Sequence, residues 1–100
     1  MLAETLEKEK TLMLEGALDA QVIGPIQNKF QGAIDASKQN IILDMSAVNF
    51  MDSSGVGSIV FLYKRLMADN RTLTLVGLSG QPKKIIEFLR IDKIIKVVQE

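Results

Sequence analysis

The run Asp52-Ser53-Ser54-Gly55-Val56-Gly57 holds the residues best suited to chemistry in this chain. Two hydroxyls stand side by side, an acid precedes them and two glycines surround the following valine. Asp and Ser are favoured N-caps, because their oxygens accept from N–H groups that the first turn of a helix leaves unpaired. The glycines keep the helix start free of bulk, at a loss of about 1 kcal/mol each in helix propensity relative to Ala. Two such losses so close together imply tight packing on a strand or a surface that a partner approaches. A hydroxyl placed there also suits phosphoryl transfer. A phosphoserine adds about −1.5 to −2 charge at pH 7, and the helix dipole favours an exposed anion by about 0.3–1 kcal/mol. An ordinary capped helix and a phosphorylatable serine are the two readings of this run.

Other chemistries are excluded by composition. The chain has 100 residues with no Cys and no His. Thiol nucleophiles, disulfides, zinc-thiolate sites and a Ser-His-Asp triad are therefore impossible within it. Twelve basic residues balance twelve acidic ones, so there is no bulk electrostatic grip on nucleic acid, and no direct nucleic-acid partner is expected. The apolar run Ile41-Ile42-Leu43 stops at Asp44, far short of the ~18 residues of a spanning helix. The first ten residues mix acids and bases without an apolar core, unlike a signal peptide. A binding or switching module in the cytoplasm, without membrane insertion, is the expectation.

The elements that must position the serines follow from periodicity. A charged strand over 4–8, a turn at Glu9-Lys10 and a strand over 11–18 form a leading hairpin. Val22, Ile23, Ile26, Phe30, Ala33 and Ile34 make one helical stripe over 22–36, with Pro25 near its start. A short strand over 40–45, buried on both faces, precedes the serine segment, which reads as a loop. A second helix spans 54–68, with Val56, Ile59, Val60, Tyr63, Leu66 and Met67 at spacings of three and four. A strand over 72–78 follows. Pro82 opens a third helix with Ile85, Ile86, Phe88 and Leu89 as its apolar face, and 94–98 closes the chain as a short strand or a helical end. The fold expected is a single α/β domain over 1–100. Its sheet is mixed and four- to five-stranded, with about three helices packed mostly on one face.

Three segments together resemble a known family: Gly16-Ala17-Leu18-Asp19, then Ile42-Leu43-Asp44-Met45-Ser46-Ala47-Val48, then Phe50-Met51-Asp52-Ser53-Ser54-Gly55-Val56-Gly57. The chain resembles the STAS domain (sulphate transporter and anti-sigma-factor antagonist), and most of all its stand-alone bacterial anti-sigma-factor antagonists. The resemblance implies partner switching. An anti-sigma factor serine kinase binds the unmodified antagonist, phosphorylates one serine with ATP and then lets go. A metal-dependent PP2C-type serine phosphatase resets the antagonist. By position the acceptor is Ser54, with Ser53 as its competitor. Asp19 and Asp52 match the family's acids and become orienting or partner-contacting groups. Ser53, Gly55 and Gly57 join them at the partner surface. Met51, read as a loop residue, is the apolar contact expected beside the serine, with Phe50 and Phe61 as further candidates for that surface and the core as the other reading of Phe61. No catalytic residue, metal or cofactor is implied.

Competing readings fit less well. Gly55-Val56-Gly57 lacks the third small residue of a dinucleotide loop, since Val60 stands there. An aspartyl-phosphate receiver would need an acidic pair beside Asp44, which instead suits a cap for the residues after it. A carboxylate enzyme using Asp19, Asp44 or Asp52 needs a cleft that shifts one pKa. Lys83, Lys84, Lys93 and Lys96 read as a solvated face. The serious rival is a non-phosphorylated STAS binding module, an accessory or scaffold subunit of a membrane transport or signalling complex.

Overall fold

A computed structural model of the chain describes residues 9–99. The elements run β1 (Glu9–Leu18), α1 (Ile23–Ala36), β2 (Asn40–Met51), α2 (Ser53–Ala68), β3 (Leu73–Val76), α3 (Gly80–Phe88), a 3-10 turn (Ile91–Lys93) and β4 (Lys96–Val98). The four strands lie in the order β1-β2-β3-β4, and each neighbouring pair is parallel. Strands in sequential order joined by right-handed crossovers send every connection over the same side of the sheet. One face is covered accordingly. Leu12, Leu14, Ile41, Leu43, Met45, Leu73 and Leu75 are buried on it against Phe30, Ile59, Leu62, Leu66 and Ile86 of the helices. Their neighbours Met13, Ile42, Asp44, Thr74 and Val76 alternate to the other face and keep some exposure.

The small α/β domain with three helices on one face agrees with the sequence reading, and its details correct that reading in several places. β1 begins at Glu9, which pairs with Asn40, and Lys10 pairs with Ile41, so Glu9-Lys10 is strand rather than turn. The antiparallel strand expected over 4–8, which would make the sheet mixed, lies outside the described residues. Ile42 is half-buried rather than covered on both sides, because no described helix packs on its face. β3 stops at Val76, where Gly77 turns with φ +76° and a Cβ would come within 2.9 Å of Ser46. α3 buries Ile86, but Phe88 ends the helix 84% exposed and Leu89 is exposed beyond it, so the expected apolar face is shorter. The segment 94–98 supplies β4 after the 3-10 turn.

The largest difference bears on the site. β2 continues six residues past Met45, to Met51. Its second half pairs with β1 through Glu15↔Ala47, Gly16↔Val48, Ala17↔Phe50 and Leu18↔Met51. The register shifts between Met13 and Glu15 and again between Gly16 and Ala17, and Gly16 takes φ +76°. Such irregularities bend a strand and re-aim its end.

The far end of α2 is fixed by a left-handed cap. Asn70 takes φ +58°, its N–H donates to the Met67 carbonyl at 3.1 Å, and the Arg71 N–H donates to the Leu66 carbonyl at 2.8 Å. The Arg71 side chain, 3% exposed, then donates from Nε to the Gln39 carbonyl at 2.8 Å and from Nη1 to the Ile34 carbonyl at 3.0 Å. One guanidinium thereby ties the end of α1 and the start of β2 to the end of α2.

Candidate functional site: the start of α2

The register Leu18↔Met51 puts Asp19 and Asp52 one residue beyond paired positions, both at the carboxyl edge of the sheet. In open parallel sheets this edge is where function collects. Asp52 is the N-cap of α2. Its backbone is extended (φ −105°, ψ −173°), and its Oδ1 accepts from the Gly55 N–H at 3.0 Å. The Asp52 N–H donates to the Leu18 carbonyl at 3.3 Å, and its own carbonyl accepts from the Val56 N–H at 3.1 Å. Ser53 and Ser54 are therefore the first two helical residues, and both are exposed. Asp19 does a similar local job: its Oδ1 accepts from the Gln21 N–H at 3.0 Å, turning the chain into α1.

The two glycines separate into different roles. Gly55 is buried, and a Cβ built on it would run into the Leu18 carbonyl and lie 3.0 Å from the Leu18 Cβ. It lets the helix start press on the end of β1. Gly57 is exposed and a Cβ there would meet nothing within 4 Å, so it leaves the surface beside the serines flat.

Met51 corrects the loop reading: it is the last residue of β2 and its side chain is fully buried, 0% exposed. Because β2 extends to this point, strand alternation turns Met51 into the core and Phe50 outward, the latter 43% exposed. Phe61, which the sequence leaves open between that surface and the core, is 49% exposed on α2, with the Arg65 guanidinium 5.8 Å from its ring centre. Asp44 caps locally, as expected. Its Oδ1 accepts from the Ser46 hydroxyl at 2.7 Å and the Ser46 N–H at 3.0 Å. Those bonds hold its carboxyl below the usual carboxylate range. Lys84, Lys93 and Lys96 are exposed and Lys83 is half-buried.

Sequence reasoning missed Gln81. From the first turn of α3 its Oε1 accepts from the Met51 N–H at 2.8 Å while its Nε2 donates to the Met51 carbonyl at 2.7 Å. Nothing in the sequence pairs residues 30 positions apart in this way.

The serines stand on open surface. A hollow of about 600 Å³ lies elsewhere, lined by Ile34, Lys38, Arg65 and Asp69 at the other end of α2, and Asp19, Asp44 and Asp52 do not line it. Among the described residues no group of three His, Cys, Asp or Glu side chains could hold a metal ion. No described helix is long and apolar enough to cross a membrane.

A sequence model of the STAS domain matches residues 1–100. The chain belongs to the STAS domain family. Among its relatives is the anti-sigma-B factor antagonist of Listeria monocytogenes, 27% identical over 88 residues that cover 86% of this chain and 75% of the relative. The fold of this STAS domain matches a Thermotoga maritima protein assigned as an anti-sigma factor antagonist, with TM-score 0.84 and 20% identity over 94% of this chain and 80% of the other. It also matches SpoIIAA of Bacillus in its phosphorylated form, with TM-score 0.69 and 26% identity over 93% of this chain and 85% of SpoIIAA. The unphosphorylated form of the anti-sigma factor antagonist SpoIIAA matches with TM-score 0.65 and 26% identity, over 87% and 89% of the two chains.

Proposed function

We propose that this STAS domain is a cytoplasmic anti-sigma-factor antagonist that works by phosphorylation-controlled partner switching. Unmodified, it binds an anti-sigma factor serine kinase. The kinase moves the γ-phosphoryl group of ATP to Ser54 Oγ, the hydroxyl proton leaves, and ADP departs. A PP2C-type phosphatase hydrolyses the ester and returns the free serine with inorganic phosphate. The domain itself carries out no catalysis. The observation that carries this reading is an exposed Ser54 in the first turn of α2, a helix capped by Asp52, which with Asp19 lies one residue beyond the paired strand ends at the sheet edge. The similarity to SpoIIAA, solved with and without phosphate, supports it.

The switch is electrostatic. A phosphoseryl group at a helix start sits among N–H groups without intrahelical acceptors, so the fold tolerates it. A partner that docks on Ser53, Ser54, Asp52 and Gly57 must desolvate that charge or match it with a cation. Asp19 and Asp52 add negative charge to the same edge. A loss of about 3 kcal/mol weakens binding roughly a hundredfold.

The test is binding of the cognate kinase to purified variants. Ser54→Asp is expected to weaken the complex at least tenfold, in line with about 1.4 kcal/mol, and Ser54→Ala to bind like wild type and resist release by ATP. Wild-type binding by Ser54→Asp, or ATP-driven release of Ser54→Ala, would contradict the assignment. A kinase that releases Ser54→Ala but not Ser53→Ala would move the acceptor to Ser53.

A further inference from the structure

Beyond Asp44, whose partner is Val76, β2 has no further pairing with β3, yet it continues to Met51. At Met51, one residue before the N-cap of α2, the Gln81 side chain supplies both bonds that a neighbouring strand would supply. A backbone residue offers one donor and one acceptor, and a primary amide matches both at once. At neutral pH a Glu carboxylate offers no donor and a Lys ammonium no acceptor, and Asn is one methylene shorter. The two distances, 2.8 and 2.7 Å, are those of well-formed hydrogen bonds.

The other tethers of the serine turn belong to the β1–β2–α2 unit itself: the Asp52 N–H on the Leu18 carbonyl, and the Gly55 N–H on Asp52 Oδ1. Gln81 alone among these tethers comes from α3. We infer that Gln81 is a positioning residue for phosphoryl transfer to Ser54: its amide holds Met51 as a third strand would and so fixes where α2 begins. This inference rests on the reading of Ser54 as the phosphoacceptor. Gln81 touches neither serine. Its effect passes through Met51 and the Asp52 cap, and a small displacement of an acceptor oxygen is enough to slow an in-line transfer.

Gln81 is exposed and lines a hollow with Ser46, Asn49 and Ser79. Gln81→Ala and Gln81→Glu should therefore fold. The first removes both bonds. The second keeps an acceptor for the Met51 N–H and sets a carboxylate oxygen against the Met51 carbonyl.

The experiment has two readouts on wild type and both variants. The first is hydrogen exchange at the Met51, Ser53, Ser54 and Gly55 amides by NMR, alongside the global melting temperature. The second is incorporation of labelled phosphate from ATP in an extract of the source cells, with maximal rate and apparent KM separated. Gln81→Ala is expected to speed exchange at Met51 and Gly55 about tenfold, the equivalent of about 1.4 kcal/mol for the two lost hydrogen bonds together. The maximal phosphorylation rate should fall about tenfold while KM stays within about twofold. Gln81→Glu should fall on the same side of wild type in both readouts. Faster exchange with an unchanged phosphorylation rate would overturn the positioning role, as would exchange confined to wild-type values. If wild type itself takes up no phosphate at Ser54, the switching assignment fails and the positioning role for transfer falls with it. The exchange rates at Ser53–Gly55 then report separately whether Gln81 holds the turn.

Discussion

Gly55 and Gly57 offer a matched pair of substitutions whose effects should have opposite signs. Both sit in the first turns of α2, and replacing either by Ala restricts the unfolded chain equally. Helix propensity favours Ala by about 1 kcal/mol at each. At Gly57 nothing opposes that gain, since a Cβ meets no atom within 4 Å. At Gly55 the new methyl collides with the Leu18 carbonyl and lies 3.1 Å from the Leu18 carbonyl carbon. Backbone of a paired strand cannot swing aside like a side-chain end, so α2 must move off β1. Overpacking of this kind costs about 1–3 kcal/mol. With a rigid obstacle the upper part of that range applies, leaving Gly55→Ala about 1–2 kcal/mol less stable after the propensity gain. For a domain of this size each 1 kcal/mol moves Tm by about 4–8 °C. Thermal and urea melts should therefore show Gly57→Ala melting above wild type and Gly55→Ala below it. Shifts of the same sign, or a neutral Gly55→Ala, would refute the packing argument. Gly57→Ala has a second use: it should bind the partner kinase less well although it is more stable, because the methyl stands on the surface beside Ser54.

Three further outcomes follow from the geometry. Asp52→Ala removes the carboxylate that accepts from the Gly55 N–H and should lower stability by about 0.5–2 kcal/mol in urea melts, with Asp52→Asn retaining most of it. Arg71→Leu strands the Gln39 and Ile34 carbonyls and should lower stability by about 2–4 kcal/mol, measured the same way. Acid titration should show a contribution from Asp44, whose carboxyl is held low by Ser46, and from Asp69, held low by Lys38 and then Arg71. A depressed folded pKa means the stabilisation is present above the ordinary carboxylate value of 3.8 and is lost as pH falls through the lower folded value. Asp69→Asn should therefore flatten the melting temperature against pH below that value and lie closest to wild type in strong acid.

What the sequence revealed and concealed divides along physical lines. The alternation of helices and strands was legible because each helix carries its own apolar stripe, as Phe30 and Ala33 do in α1. The capped start of α2 was legible because Asp52, Ser53 and Ser54 act within one turn. The second half of β2 was not. Ser46-Ala47-Val48-Asn49 has no strand alternation of its own and is held extended by pairing with the bent end of β1, a contact between distant residues. That hidden strand explains the exchange of Met51 for Phe50 as the exposed side chain, since one more strand residue reverses the face. Phe61 fell outside the core because α2 buries Ile59, Leu62 and Leu66 and turns the position between them to solvent. The sequence leaves Gly55 open between packing on a strand and a partner surface, because glycine in a first turn looks alike whether it meets a partner or a strand end. Gln81 and Arg71 act through backbone atoms far away in sequence, and no residue type announces that.

The central claim is that Ser54 carries a phosphate that switches partners. The most direct measurement is the intact mass of the protein purified from its native cells, before and after phosphatase treatment, followed by peptide mapping. The account predicts one phosphatase-sensitive phosphate, mapped to Ser54, in a fraction that varies with growth condition. A single unmodified mass under every condition would contradict it and turn the search to a constitutive binding partner.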